Sequence, residues 1–174
     1  MLYHGSVTGG LKFIKANSRS HTSGKQVAYF TEDRSYALIC CRSRSENFVT
    51  MGIGKDGKQH YYERFPDQLK TLYSGKRGYI YAPISDDGMV KTKGRTWESE
   101  KDVPVYQREL VPDVYAEVLK EENAGNVVIH RYAEIDVAEQ KMHAEYIKEH
   151  IEDEGEEMKQ FYLKHFSPLW SRDA

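Results

Sequence analysis

His4, Gly5 and Ser6 stand together near the start of the chain, and Tyr29, Phe30 and Thr31 form a second group after a stretch of loop-like sequence. These residue types suit the capture of a ring-bearing polar ligand. A glycine permits close backbone approach, a histidine supplies a directional polar contact, and a tyrosine presents a stacking face. The intervening segment 17–25 carries Asn17, Ser18, Ser20, Thr22 and Ser23 with Arg19 and Lys25, hydroxyls and cations that can position phosphate oxygens. Taken singly, His-Gly-Ser reads as a turn and Tyr-Phe as core. The two in this order favour a site, because a pair of motifs of the right types is harder to obtain by chance than one.

Leu2-Tyr3-His4-Gly5-Ser6 followed by Ala28-Tyr29-Phe30-Thr31 resembles the first two motifs of the histidine-tyrosine-acid class of ADP-ribosyltransferases. That class includes the poly-ADP-ribose polymerases, diphtheria-type toxins and rifamycin-modifying enzymes. The resemblance implies a split, bent mixed β core with an NAD site. It implies that Gly5 holds the nicotinamide carboxamide through its backbone, that His4 bonds the adjacent ribose and that Tyr29 stacks on the nicotinamide ring. Ser35 and Tyr36 stand as counterparts of the family's small residue and second stacking aromatic, and Ser6, Ser18, Arg19 and Thr31 fall beside these positions.

The family's third motif is an acid at the start of a later strand. Glu98 and Glu100 precede an apolar Val103–Tyr106 segment and are the first candidates, with Glu109 behind them. Their Glu-x-Glu spacing puts both side chains on one face if the strand begins early. Cleaving a ribosyl–nicotinamide bond passes through an oxocarbenium-like state, so a carboxylate near the ribose is what the chemistry requires. The implied activity is transfer of ADP-ribose from NAD to an acceptor of unknown kind, whether protein, nucleic acid or small molecule, or hydrolysis of NAD. The alternative is a catalytically silent nucleotide- or partner-binding module using the same cleft.

Several elements must position these residues. The sequence predicts a strand at Leu2-Tyr3 ended by the His-Gly-Ser turn, and a buried strand over Val27–Thr31. A helix over Ser35–Cys41 follows, with Thr31 as its cap. Strands are expected over Asn47–Ile53, Gln59–Phe65, Gly78–Pro83, Val103–Tyr106 and Val127–Tyr132, a short helix over Pro66–Tyr73, and a helix or turn over Pro112–Glu122. The mixture is α+β. Beyond residue 135 the apolar residues recur at helical spacing among Glu, Lys and Asp, so 136–174 reads as an amphipathic helical appendage to a 1–135 core, broken at Gly155 and capable of self-association.

Other patterns are weaker. Gly52-Ile53-Gly54-Lys55-Asp56-Gly57 matches a dinucleotide fingerprint but precedes no helix, so a hairpin turn is the reading. His143 and His150 share a helical face without a third ligand, and no metal is expected. The adjacent Cys40 and Cys41 make poor disulfide partners and read as buried helix. Arg42, Arg44, Lys55, Lys58, Arg64, Lys70, Lys76 and Arg77 lie among Tyr61, Tyr62 and Tyr73. This middle region reads as solvated hairpin surface rather than a nucleic-acid seat. A net charge of -2 gives no global attraction to polyanions. With no apolar run of membrane-spanning length, a cytoplasmic protein without membrane contact is expected.

Overall fold

The computed structural model describes residues 1–42 and 49–170. In chain order its strands are β1 (His4–Ser6), β2 (Phe13–Ile14), β3 (Ser18–Arg19), β4 (Gln26–Thr31), β5 (Thr50–Ile53) and β6 (Gln59–Tyr62). They continue as β7 (Gly78–Pro83), β8 (Val90–Lys91), β9 (Thr96–Ser99), β10 (Val103–Val111) and β11 (Val127–His130). The helices are α1 (Arg34–Ile39), α2 (Gln68–Tyr73), α3 (Val114–Asn123), α4 (Val137–His150) and α5 (Glu156–Trp170). The class is mixed α+β.

Two four-stranded sheets are built from strands between His4 and Val111, in the orders β1-β7-β10-β2 and β3-β4-β9-β8. Leu2, Ile14, Ala28, Phe30, Tyr81, Met89, Val103 and Val105 form one buried cluster drawn from both. Exclusion of this apolar surface from water holds the sheets against each other. At one edge they are also joined through the backbone. Tyr3 N–H donates to the Thr31 carbonyl at 2.8 Å and Thr31 N–H returns the bond to Tyr3 at 2.9 Å. A third sheet, β11-β6-β5, contains a parallel β6–β11 pair. Its Tyr61 and Ile129 pack with α1, α2 and α3 around Leu38, Leu72, Ile80 and Val114.

Several elements differ from the sequence expectation. His4-Gly5-Ser6 is not a turn that ends a strand. It is the strand, paired residue for residue with β7 (His4 with Tyr81, Gly5 with Ile80, Ser6 with Tyr79), because a partner strand can use every backbone group that a turn would leave to solvent. Helix α1 is capped by Asp33 rather than Thr31. The Asp33 carboxylate accepts from Ser35 N at 2.9 Å and Tyr36 N at 3.2 Å, while the Thr31 hydroxyl accepts from Asp33 N at 3.1 Å. Thr31 thus still belongs to β4, one hydrogen bond before the cap. The last strand stops at His130 and Tyr132–Glu134 forms a 3-10 turn.

The Gly52–Gly57 stretch makes the β5–β6 hairpin, with Gly57 at φ 76° and its N–H donating to the Gly54 carbonyl. The start of the strand expected from Asn47 and the cation Arg44 lie outside the described residues. Tyr61 and Tyr73 are fully buried and Arg64 pairs with Glu139, so these three do not contribute to one exposed basic and aromatic surface. The C-terminal pattern gives α4 and α5, separated by a short turn over Ile151–Asp153 and by Glu154 and Gly155. Ile147, Ile151, Tyr162 and Phe166 from this part pack around Phe65. Among the described residues no helix is long and apolar enough to cross a membrane.

Candidate functional site

Gly5 lets β1 lie directly against α1. A Cβ at this position would stand 1.7 Å from the Ala37 carbonyl oxygen, so only glycine fits. The close approach brings His4, one residue earlier, beside the end of β4. His4 Nδ1 is 2.9 Å from the Tyr29 carbonyl oxygen. A carbonyl only accepts, so Nδ1 carries the proton and donates. Burial lowers the imidazole pKa from its ordinary 6.5, with the Tyr29 carbonyl opposing that shift. In the neutral ring Nε2 is therefore an acceptor.

Tyr29 is fixed by the hairpin that β3 makes with β4. Its hydroxyl donates to the Arg19 carbonyl at 3.1 Å and accepts from His21 N–H at 3.3 Å. Directly across the antiparallel β4–β9 pair stands Glu98. Opposed residues on one sheet face hold their Cβ atoms about 4.5–5.5 Å apart, so the carboxylate is a lateral neighbour of the tyrosine. Glu98 is 9% exposed. Its Oε2 accepts from Ser20 Oγ at 2.8 Å, and that same Oγ accepts from the backbone N–H groups of Thr22 and Ser23. One serine thereby ties the turn of the hairpin to the acid.

These residues open onto a cleft of about 670 Å³ lined by His4, Gly5, Ser18, Arg19, Tyr29, Thr31, Tyr36 and Glu98. The size lies within the range of small-molecule and cofactor sites. Arg19, Arg42 and Lys93 supply positive charge, and among the described residues Glu98 is the one acid on the wall. No family model, curated protein or solved structure matches this chain. The chemistry of the cleft is accordingly argued from its own side chains.

Four residues expected at the site lie elsewhere. Ser6 is two positions along β1 from His4, about 6.6 Å farther along the strand, and its hydroxyl accepts from Thr8 N–H. Ser35 and Tyr36 are neighbours on α1, but successive helical residues point about 100° apart. Tyr36 reaches the cleft, whereas Ser35 is buried and donates to Glu121 at 3.1 Å. Glu100 lies beyond the end of β9, where the Ser99 hydroxyl accepts from Lys101 N–H and turns the chain. Strand alternation no longer applies there, and Glu100 pairs with Lys25 at 2.7 Å on the surface. Glu109 belongs to a different assembly, in which Arg34 joins it to Glu117 and Glu121.

The sequence reading placed Ser20, His21 and Thr22 near the site only as members of the 17–25 loop, and it missed Cys40, Arg42, Thr92, Lys93 and Thr96. All of these but Ser20 line the cleft. No local signal in the sequence marked Ser20 as the partner of Glu98. Cys40 follows the last turn of α1 and Cys41 is buried; burial pushes the Cys41 thiol up to about 12, which leaves it protonated and a poor nucleophile. His143 and His150 lie with Nδ1 against carbonyl oxygens of their own helix. Among the described residues no cluster of three metal-ligating side chains occurs.

The lowered His4 pKa has a consequence for stability. As pH falls below 6.5 the unfolded chain takes up the proton before the folded one does, so stability rises with pH across that interval. The contribution is complete above 6.5 and is lost as pH falls toward the folded-state pKa. His130, lowered by burial and by the neighbouring His60, acts in the same direction. Thermal unfolding scanned from neutral pH down to the carboxylate range should show a falling Tm. His4→Asn, which keeps a donor for Tyr29 but does not titrate there, should flatten the slope. An unchanged slope would remove His4 from this account.

Proposed function

We propose that the cleft binds NAD and that the protein transfers its ADP-ribose to an acceptor, or to water. The observation that carries the reading is the position of Glu98, buried, opposite Tyr29 and on the wall of the cleft that His4 also lines. Tyr29 and Tyr36 offer ring faces to the nicotinamide, and Arg19, Arg42 and Lys93 offer cations to the pyrophosphate. His4 Nε2 accepts a ribose hydroxyl. In the reaction the bond from ribosyl C1 to the nicotinamide nitrogen breaks, and the electron pair leaves with the ring. Glu98 stabilises the oxocarbenium-like carbon and takes the proton of the incoming nucleophile.

A second reading, a module that binds the nucleotide without cutting it, draws on the Ser20 hydrogen bond that already occupies one oxygen of Glu98. Incubation with NAD separates the two. The transferase reading expects nicotinamide release together with an NAD-dependent rise in Tm. His4→Ala should reduce both, with release falling by about tenfold for the loss of one directional hydrogen bond. A rise in Tm with no nicotinamide leaves the binding module. Neither signal from the wild-type protein would end both.

A further inference from the structure

Arg19, Ser20 and His21 hold two groups of the cleft at once. The Arg19 carbonyl and the His21 N–H fix the Tyr29 hydroxyl, and between them the Ser20 hydroxyl donates to Glu98 Oε2 at 2.8 Å. Ser20 follows β3 and Glu98 belongs to β9, the strands on either side of β4. The tripeptide therefore reaches across the central strand and sets the ring and the acid relative to each other.

Every polar group of the serine is committed. It is 2% exposed. Its N–H donates to the Lys25 carbonyl at 2.8 Å, and its own carbonyl accepts from Gly24 N–H at 2.9 Å. A hydroxyl has one proton and two lone pairs. The lone pairs accept from Thr22 N–H at 3.2 Å and Ser23 N–H at 3.1 Å, which leaves the proton a single direction, toward Glu98. A serine that only closed its own turn would accept from those N–H groups and give its proton to solvent. This one directs it to a buried acid two strands away.

We infer that Ser20 is a positioning residue for Glu98: its hydroxyl fixes the carboxylate so that Oε1 meets the ribosyl carbon while nicotinamide lies against Tyr29. This inference rests on the ADP-ribosyl transfer proposed above. With Oε2 held, Oε1 is the oxygen that stabilises C1 as its bond to the nicotinamide nitrogen breaks and the electron pair leaves with the ring. Oε1 then takes the proton of the incoming nucleophile and passes it to water. A glutamate without such a tether samples several rotamers, and those that turn Oε1 aside do not react. Ser20 removes them beforehand, so its hydrogen bond serves the transition state more than the binding of NAD.

The test measures kcat and KM for nicotinamide release from NAD by the full-length protein. Ser20→Ala is expected to lower kcat by about 10- to 100-fold, the range for a hydrogen bond to a charged group, while KM for NAD stays within about twofold. The NAD-dependent rise in Tm should persist, because Arg19 and His21 hold Tyr29 through their backbones. Ser20→Thr keeps the hydroxyl and should return most of the rate. Ser20→Cys is close to serine in size and donates only weakly, so it should lose rate as Ser20→Ala does, and it takes over the measurement if the alanine variant does not fold.

A double-mutant cycle with Glu98→Gln separates action through the acid from a loosened hairpin. In the Glu98→Gln background, Ser20→Ala should change release by no more than about twofold. An equal loss in both backgrounds, a rise in KM with kcat unchanged, or release from Ser20→Ala and Ser20→Cys at or above the wild-type rate would each overturn the positioning role and leave the NAD reading standing. An NAD-dependent Tm shift without nicotinamide release from the wild-type protein would overturn the role and leave NAD binding alone. Absence of both signals would overturn the NAD reading, and the role of Ser20 with it.

Discussion

Glu98→Gln is expected to lower nicotinamide release by about 10²–10³-fold, the usual cost of removing one charge-stabilising group from a preorganised site. The substitution is nearly isosteric. A glutamine can still accept from Ser20 Oγ, so the hairpin stays tied to β9, and what disappears is the negative charge that the proposed transfer places beside the ribosyl carbon and uses as proton acceptor. NAD should therefore still raise Tm in the variant, because Tyr29, Tyr36 and the cations of the cleft are untouched. Glu100→Gln makes the companion measurement. That residue lies outside the cleft and pairs with an exposed lysine, so its loss should change release into water by no more than about twofold. Equal losses for the two acids, or a larger loss for Glu100, would move the chemistry away from Glu98.

Gly5→Ala should produce the largest loss of stability. The new methyl group would stand 1.7 Å from the Ala37 carbonyl oxygen and 3.1 Å from Cys41 Sγ. The nearer atom is helix backbone, which cannot rotate aside as a side chain tip would. Either α1 lifts from β1 or β1 bends away from β7, and both movements open the cluster around Ala37, Leu38 and Ile80. Overpacking of this kind costs about 3 kcal/mol or more, and for a chain of this size that corresponds to a fall in Tm of about 6–12 °C. Thermal denaturation measures it directly. A variant that melts with the wild-type protein would mean that β1 and α1 separate more easily than their contact implies. Gly5 thus has a structural duty beyond any approach of the backbone to a ligand.

What the sequence made legible was local. The residue types of Val27–Thr31 announce a strand, whereas His4-Gly5-Ser6 has the composition of a turn and became strand β1 only through its pairing with β7, and Asp-Gly in the β5–β6 turn announces a hairpin through backbone chemistry alone. The helical spacing beyond residue 135 and its interruption near Gly155 could be counted along the chain. The mixed α+β class followed from strand and helix patterns in the same way. Choices between neighbours were not legible. Thr31 and Asp33 are both good caps, and only the exit angle of β4 decides that the aspartate faces the helix amides. Glu98 and Glu100 differ in environment because β9 ends between them at Ser99, where a side-chain hydrogen bond turns the chain. Ser35 and Tyr36 differ because α1 is wedged between α3 and the cleft, and no property of the dipeptide fixes that orientation. The parallel pairing of β6 with β11 and the capture of Glu109 by Arg34 join residues distant in sequence, which a reading by local periodicity does not reach.

The seam between the two four-stranded sheets makes His4 more than a wall of the cleft. Tyr3 and Thr31 exchange two backbone hydrogen bonds across it, and His4 adds a third through Nδ1 to the Tyr29 carbonyl. A hydroxyl that donates to Nε2 draws electron density across the imidazole and makes Nδ1–H a stronger donor, since hydrogen bonds in series reinforce one another. Whatever grips the outer nitrogen therefore tightens the inner one on β4. Under the proposed reading the imidazole would act as a latch whose hold increases when a ligand hydroxyl reaches Nε2, and exchange at the amides of Tyr3 and Thr31 would report how often the sheets part.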